Sequence, residues 1–98
     1  MASKTKAART YHAAVASLPC VLCELIGQTQ TTHTEVHHLR EGQGMSQRAH
    51  HFRVAALCEE CHRGTAGIHG DRALLRIANV SEGDLADITA EKAWSHRG

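Results

Sequence analysis

At 98 residues, with 42% hydrophobic residues and one each of Trp, Tyr and Phe, the chain is a single domain with little aromatic area to bury. A formal charge of +1, counting the nine histidines as neutral, supplies no global field to draw it to nucleic acid, and so few aromatics argue against a base-stacking platform. No apolar run nears the roughly 20 residues that cross a membrane, and the basic start over residues 1–6 has no apolar stretch behind it to make a signal peptide.

In chain order, the Ala-rich segment 4–17 with spaced Lys and Arg predicts a helix that Pro19 ends. Cys20-x-x-Cys23 follows, then a Gln/Thr-rich stretch over 27–33 that reads as an exposed loop. Residues 34–39 predict a strand ending in His37-His38. Residues 40–47, with Gly42 and Gly44, read as a flexible connection. Residues 52–57 are β-competent and pair back on the first strand.

A short helix from Glu59 carries Cys61 and His62, after Cys58 completes the second Cys-x-x-Cys pair. Gly64, Gly67 and Gly70 interrupt the pattern. A helix over 71–78 offers Leu74, Leu75 and Ile77 as its apolar face. Ser81-Glu82-Gly83-Asp84 has the form of a capping box opening a last helix, with Leu85, Ile88 and Trp94 toward the core. The expected fold class is α+β: an N-terminal helix (1–17), a zinc-stapled centre (18–72) and C-terminal helices (73–98).

The four cysteines are all the chain has. Two Cys-x-x-Cys pairs can close a tetrahedral zinc site through Cys20, Cys23, Cys58 and Cys61. Two disulfides or a redox pair are the alternatives, and the lack of a signal segment favours reduced thiolates in a cytoplasmic compartment. Structural zinc contributes roughly 10–16 kcal/mol in small modules, comparable with the whole stability of a domain.

Nine histidines are an excess for this length. Imidazole ligates divalent ions and serves as a general base near neutral pH. His37-His38 at the strand end and His62 on the zinc-anchored helix are the candidates, although strand alternation points neighbouring side chains to opposite faces. His50-His51 are substitute ligands. His12, His33 and His96 read as solvent-exposed. Arg40, Arg48, Arg53, Arg63 and Arg72 lie in or just after the insert, where phosphate contact competes with a solvated basic surface.

The runs Glu35-Val36-His37-His38-Leu39 and Leu57-Cys58-x-x-Cys61-His62-Arg63 resemble the HNH endonucleases, the ββα-metal or His-Me finger nucleases. Cys61-His62-Arg63-Gly64, with Gly67-Ile68-His69-Gly70, looks like their small phage and prophage branch, which includes recombination-associated nucleases. The resemblance covers residues 18–72 and implies metal-dependent hydrolysis of DNA phosphodiester bonds. It puts His37 and His62 on the catalytic metal and His38 as general base; His69, set between Gly67 and Gly70, is the candidate third ligand or phosphate contact. Arg40, Arg53 and Arg63 would meet the DNA backbone. It further implies, beside the structural zinc, one catalytic divalent ion (Mg²⁺, Mn²⁺, Ni²⁺ or Zn²⁺). Phage or host recombination proteins would be partners, in the cytoplasm of a bacterial host cell. Arg53 stands where the motif has Asn, and Thr65 where a Lys follows Cys-His. The competing reading is a non-catalytic zinc module that binds DNA or a protein partner. A zinc deaminase would fit Pro19-Cys20-x-x-Cys23, but no His-x-Glu precedes it.

Overall fold

A computed structural model describes residues 5–39 and 51–97. The expected connection over 40–47, with Arg40, and also Arg48 and His50, lies outside the described residues, as does the side chain of His96. Helix α1 (Lys6–Ala16) starts where the Thr5 hydroxyl accepts from the Ala8 amide at 3.1 Å. It buries Ala8, Tyr11, His12 and Val15, a stripe at helical spacing. His12 falls on that stripe and is 7% exposed, which corrects the expectation that it faces solvent.

Helix α2 (Val21–Ile26) was not anticipated from the sequence, because six residues are too short to show a period. Its start is set by Cys20, whose sulfur accepts from the Cys23 amide at 3.3 Å, and Gly27 ends it in the left-handed region at φ 72°. The following loop is mostly exposed, as expected, but anchored by one side chain. Gln30 accepts from the Cys20 amide at 2.7 Å and donates to the Thr34 hydroxyl at 2.9 Å.

Strands β1 (Thr34–His38) and β2 (Val54–Cys58) form an antiparallel pair, with Thr34 opposite Cys58 and His38 opposite Val54. Helix α3 (Glu59–Arg63) leaves β2 without a break, so a hairpin-then-helix unit carries the second Cys pair. Helices α4 (Ala73–Ala78) and α5 (Glu82–Arg97) complete the α+β fold. None of the helices among the described residues is long and apolar enough to cross a membrane.

β2 is buried along its whole length. Its outer edge would leave amides unpaired, and α5 covers it: the buried Thr89 hydroxyl accepts from the Ala56 amide at 3.1 Å. Leu85, Ala86, Thr89 and Ala93 form the covering stripe, small enough to let helix and strand approach closely. Trp94 sits one position past that stripe and is 64% exposed, so it does not join the core. Ile77 likewise points away from the stripe that buries Leu75 and is 67% exposed. The capping box is present: Ser81 Oγ accepts from the Asp84 amide at 3.1 Å, and Asp84 Oδ2 from the Ser81 amide at 2.9 Å.

Thr89→Val keeps the shape of the side chain but strands the Ala56 amide. The expected cost is about 1–3 kcal/mol, read as a lower denaturant midpoint with unchanged slope.

Candidate metal centres and active site

Each Cys-x-x-Cys pair straddles the start of a helix. Cys20 and Cys58 are the N-caps of α2 and α3, and Cys23 and Cys61 lie within the first turns, where the helix dipole favours negative sulfur. The two units pack so that all four sulfurs lie within 4.8 Å of one another, and all four residues are buried. Cys23 Sγ stands 3.7 Å from both Cys58 Sγ and Cys61 Sγ. Four sulfurs at about 2.3 Å from a tetrahedral zinc ion are about 3.8 Å apart, so the donor set fits zinc. The side-chain amide of Gln28 donates to Cys23 Sγ at 3.4 Å.

The acid–base chemistry of the cluster also calls for a cation. The hydrogen bond from Cys61 draws the Cys20 thiol down to about 5. Burial, followed by the Cys20 charge, pushes Cys23 up to about 12. The hydrogen bond to Cys20, with burial, pushes Cys61 up strongly. Only a positive ion among them allows these sulfurs to ionise together.

A second convergence lies where β1, α3 and the turn after α3 meet. His37 Nδ1 is 3.1 Å from His62 Nε2, and His69 Nε2 is 3.1 Å from the same atom. These distances are close to the roughly 3.3 Å between nitrogens around a tetrahedral zinc ion, and the three residues offer ligand atoms all within 4.8 Å. His37 is buried, His62 half-buried and His69 exposed, so the cluster opens on one side.

The far side of two of these rings fixes their tautomers. His62 donates from Nδ1 to Glu35 Oε1 at 2.8 Å, and His37 donates from Nε2 to Glu82 Oε1 at 2.7 Å. The nitrogens that face each other, His37 Nδ1 and His62 Nε2, therefore both present lone pairs. At 3.1 Å these repel unless a cation or a shared proton lies between them. The carboxylates are held in turn by arginines. Arg63 donates to Glu35 Oε2 at 2.7 Å, and Arg72 to Glu82 Oε2 at 2.8 Å.

The Arg63 hydrogen bond, against the cost of burial and with help from His62, holds Glu35 down at about 2. Burial opposes ionisation of Glu82, but its hydrogen bonds from His37 and Arg72 outweigh this and keep it below the usual carboxylate value. Burial holds His37 below the ordinary imidazole value, with Glu82 opposing and the neighbouring His62 and His69 adding to the shift.

His69 owes its position to the glycines around it. Its amide donates to the His62 carbonyl at 3.0 Å and that of Ile68 to the Cys61 carbonyl at 2.9 Å, which folds the turn onto α3. A Cβ on Gly67 would fall 2.4 Å from the Cys61 carbonyl oxygen, so no larger residue permits that approach. Arg72 adopts the left-handed region at φ 65°, unusual for a non-glycine residue, while its guanidinium reaches Glu82.

The structure thus gathers His37, His62 and His69 in one cluster and the four cysteines in another. His38 points to the opposite face of β1, exposed, with its ring edge-on to that of His12 at 5.0 Å. Arg63 holds Glu35 and Glu59, while Arg53 pairs with Asp87 of α5 at 2.9 Å. A further convergence of His33, Glu35 and Glu59 is bound into the Arg63 ion-pair network. Sequence reading missed Glu35, Glu82 and Arg72 as supports of the cluster. Glu35 stood inside the quoted motif, two residues before His37. Glu82 lies 45 residues from His37 and left no local signal.

Fold and sites define a small α+β protein with one cluster of four cysteines fit for a structural zinc ion and one cluster of histidines braced by carboxylates. A family model described as "Recombination enhancement, RecA-dependent nuclease" matches residues 4–92, and the chain belongs to this family. As a nuclease it has DNA as its substrate class. Neither a curated protein nor a solved structure matches the chain.

Cys58→Ser is expected to release bound zinc and unfold the centre, measured as metal content and as loss of cooperative thermal unfolding; a folded, zinc-free variant would refute the staple. His37 has a folded value below its unfolded one of 6.5, so its contribution to stability is complete above that pH and is lost as pH falls below it. Stability should therefore decline as pH falls below 6.5, and decline less steeply in His37→Gln, when unfolding is followed by denaturant at each pH.

Proposed function

We propose that the chain is a metal-dependent endonuclease of the HNH (ββα-metal) type that hydrolyses DNA phosphodiester bonds. The observation that carries this reading is the facing pair of lone-pair nitrogens, His37 Nδ1 and His62 Nε2, with His69 Nε2 beside them and a carboxylate behind each of the first two. The order hairpin then helix, with His37-His38 ending β1 and His62 on α3, supports the assignment to that type. In this reading His37, His62 and His69 would hold one divalent ion, which supplies charge stabilisation to the phosphate in flight and to the leaving oxygen. Imidazoles suit Zn²⁺, Ni²⁺ or Mn²⁺; Mg²⁺ would draw most of its ligands from phosphate oxygens and water.

His38 is the proposed general base for the attacking water, next to His37 at the end of β1. His12 positions it. The His12 Nε2 donates to the His51 carbonyl at 2.5 Å, which fixes that ring, and the ring lies edge-on to His38. A buried imidazole from α1 would thus brace the base in a chain that has Arg53 where the motif carries Asn. Glu35 and Glu82 keep His62 and His37 in the ligating tautomer, and Arg63 and Arg72 keep those carboxylates charged. Arg40, Arg53 and Arg63 would lie toward the DNA backbone, with the two described ones also serving the protein's own ion pairs. The family description supports cooperation with recombination proteins, RecA among them, and the resemblance supports a bacterial cytoplasmic setting.

Plasmid cleavage by the zinc-loaded protein, with Mg²⁺, Mn²⁺, Ni²⁺ or no added ion, tests the reading. Metal-dependent nicking is expected, with a loss of at least about 100-fold in His38→Ala and unchanged zinc content. DNA binding without turnover under any ion would give the lead to the non-catalytic module. Glu82→Gln should weaken the activating ion by about 10–100-fold while leaving structural zinc in place. An unchanged metal concentration dependence in that variant would remove Glu82 from the site.

A further inference from the structure

The chain has one Tyr, one Phe and one Trp, and all three line the same groove. Lys6, Ala7, Thr10 and Tyr11 of α1, Phe52, and Trp94 of α5 line it around a volume of about 380 Å³. Phe52 is 44% and Trp94 64% exposed, while Tyr11 is buried beneath with its ring 5.5 Å from that of Phe52. The Tyr11 hydroxyl is buried without a hydrogen-bond partner among the described residues. A protein this poor in aromatics has no packing reason to gather two of its three large rings at a surface.

Charge narrows the choice of occupant. Two other grooves mix charges: Glu82 and Asp84 stand with Arg72 and Arg76 in one, and Glu24 and Glu91 with Lys92 in the other. The aromatic groove has no carboxylate and carries Lys6 at its rim. A chain of ring contacts links its floor to His38. His38 contacts His12, and His12 adjoins Tyr11 on α1, with ring centres 6.5 Å apart.

Resting on the reading that DNA is the substrate, we propose that this groove holds one unstacked nucleobase of a single-stranded DNA segment. The base stacks on Phe52 and Trp94, and Lys6 meets the adjoining phosphate. Planar rings with a cation beside them are the means by which proteins hold single strands without regard to sequence. A base in a duplex is already stacked on its neighbours and presents only its edge, so the groove favours a single strand over a duplex. The substrate of the nuclease site would then have an unpaired stretch.

Trp94 is the chain's sole tryptophan, so its fluorescence reports the groove directly. The zinc-loaded protein, with no other divalent ion, is titrated with an oligothymidylate of about 12 nucleotides and with a blunt duplex of equal length. Quenching by the single strand at concentrations well below those needed for the duplex is expected. Phe52→Ala should weaken single-strand affinity by about tenfold, and Phe52→Tyr should restore it; both positions are substantially exposed, and zinc content verifies the fold. Equal response to duplex and single strand, no quenching at all, or indifference to Phe52→Ala would each overturn the proposal. Plasmid nicking without this stacking signal would refute the groove alone. A stacking signal in a protein that never cleaves would support the groove and refute the nuclease site.

Discussion

Four sulfur atoms drawn together at van der Waals contact are the constraint on which the rest of this protein depends. Cys20 and Cys23 belong to α2; Cys58 and Cys61 belong to the junction of β2 and α3. Crossing that gap with a single ion joins two segments whose own cores are too small to hold them. The cysteines' sequence neighbours Val21, Leu22 and Leu57 are buried aliphatics. The same ion would set the direction of α3, and with it the position of His62. Structural and histidine sites would thereby be coupled through two adjacent residues of one helix, Cys61 and His62.

The histidine cluster shows how a surface-accessible site is made rigid without a large core behind it. Two layers of charge lie behind the imidazoles, carboxylate then guanidinium, on each of two sides. Such alternation lets each group hold its neighbour in the useful ionisation state: Arg63 keeps Glu35 charged, and Glu35 keeps the His62 proton on Nδ1. One of these supports, Glu82, comes from the helix that also covers the edge of β2. The C-terminal helix is therefore part of both the scaffold and the site, although it lies outside the segment that carries the recognisable motif.

Most of the site was legible because its residues cluster in short runs. The Cys-x-x-Cys pairs, His37-His38 and Cys61-His62 fall in segments of a few residues, and the hairpin-then-helix order followed from β-competent runs and a short helix at the second pair. The turn histidine His69 was legible through the glycines that flank it. What escaped were contacts between distant segments and elements with no periodic signal: α2, whose helix rests on a sulfur cap, the burial of His12, and the outward turn of Trp94 and Ile77. A side chain's position relative to a helix stripe is decided by what packs against the helix, and here the stripe on α5 was chosen by the need to cover β2.

The sequence by itself determined the ligand chemistry: four sulfurs at knuckle spacing, a surplus of imidazoles at element ends, and an aromatic inventory too small for a conventional core. Those are properties of residue type and local spacing. Only the tertiary structure decided which histidines meet and which carboxylates stand behind them. It alone brought the three aromatic rings into one groove and decided which face of β1, His37's or His38's, meets His62 and His69. These outcomes depend on strand register and on the docking of α1 and α5, set by long-range packing and hydrogen bonds such as His37 to Glu82 and Ala56 to Thr89. No local pattern encodes them.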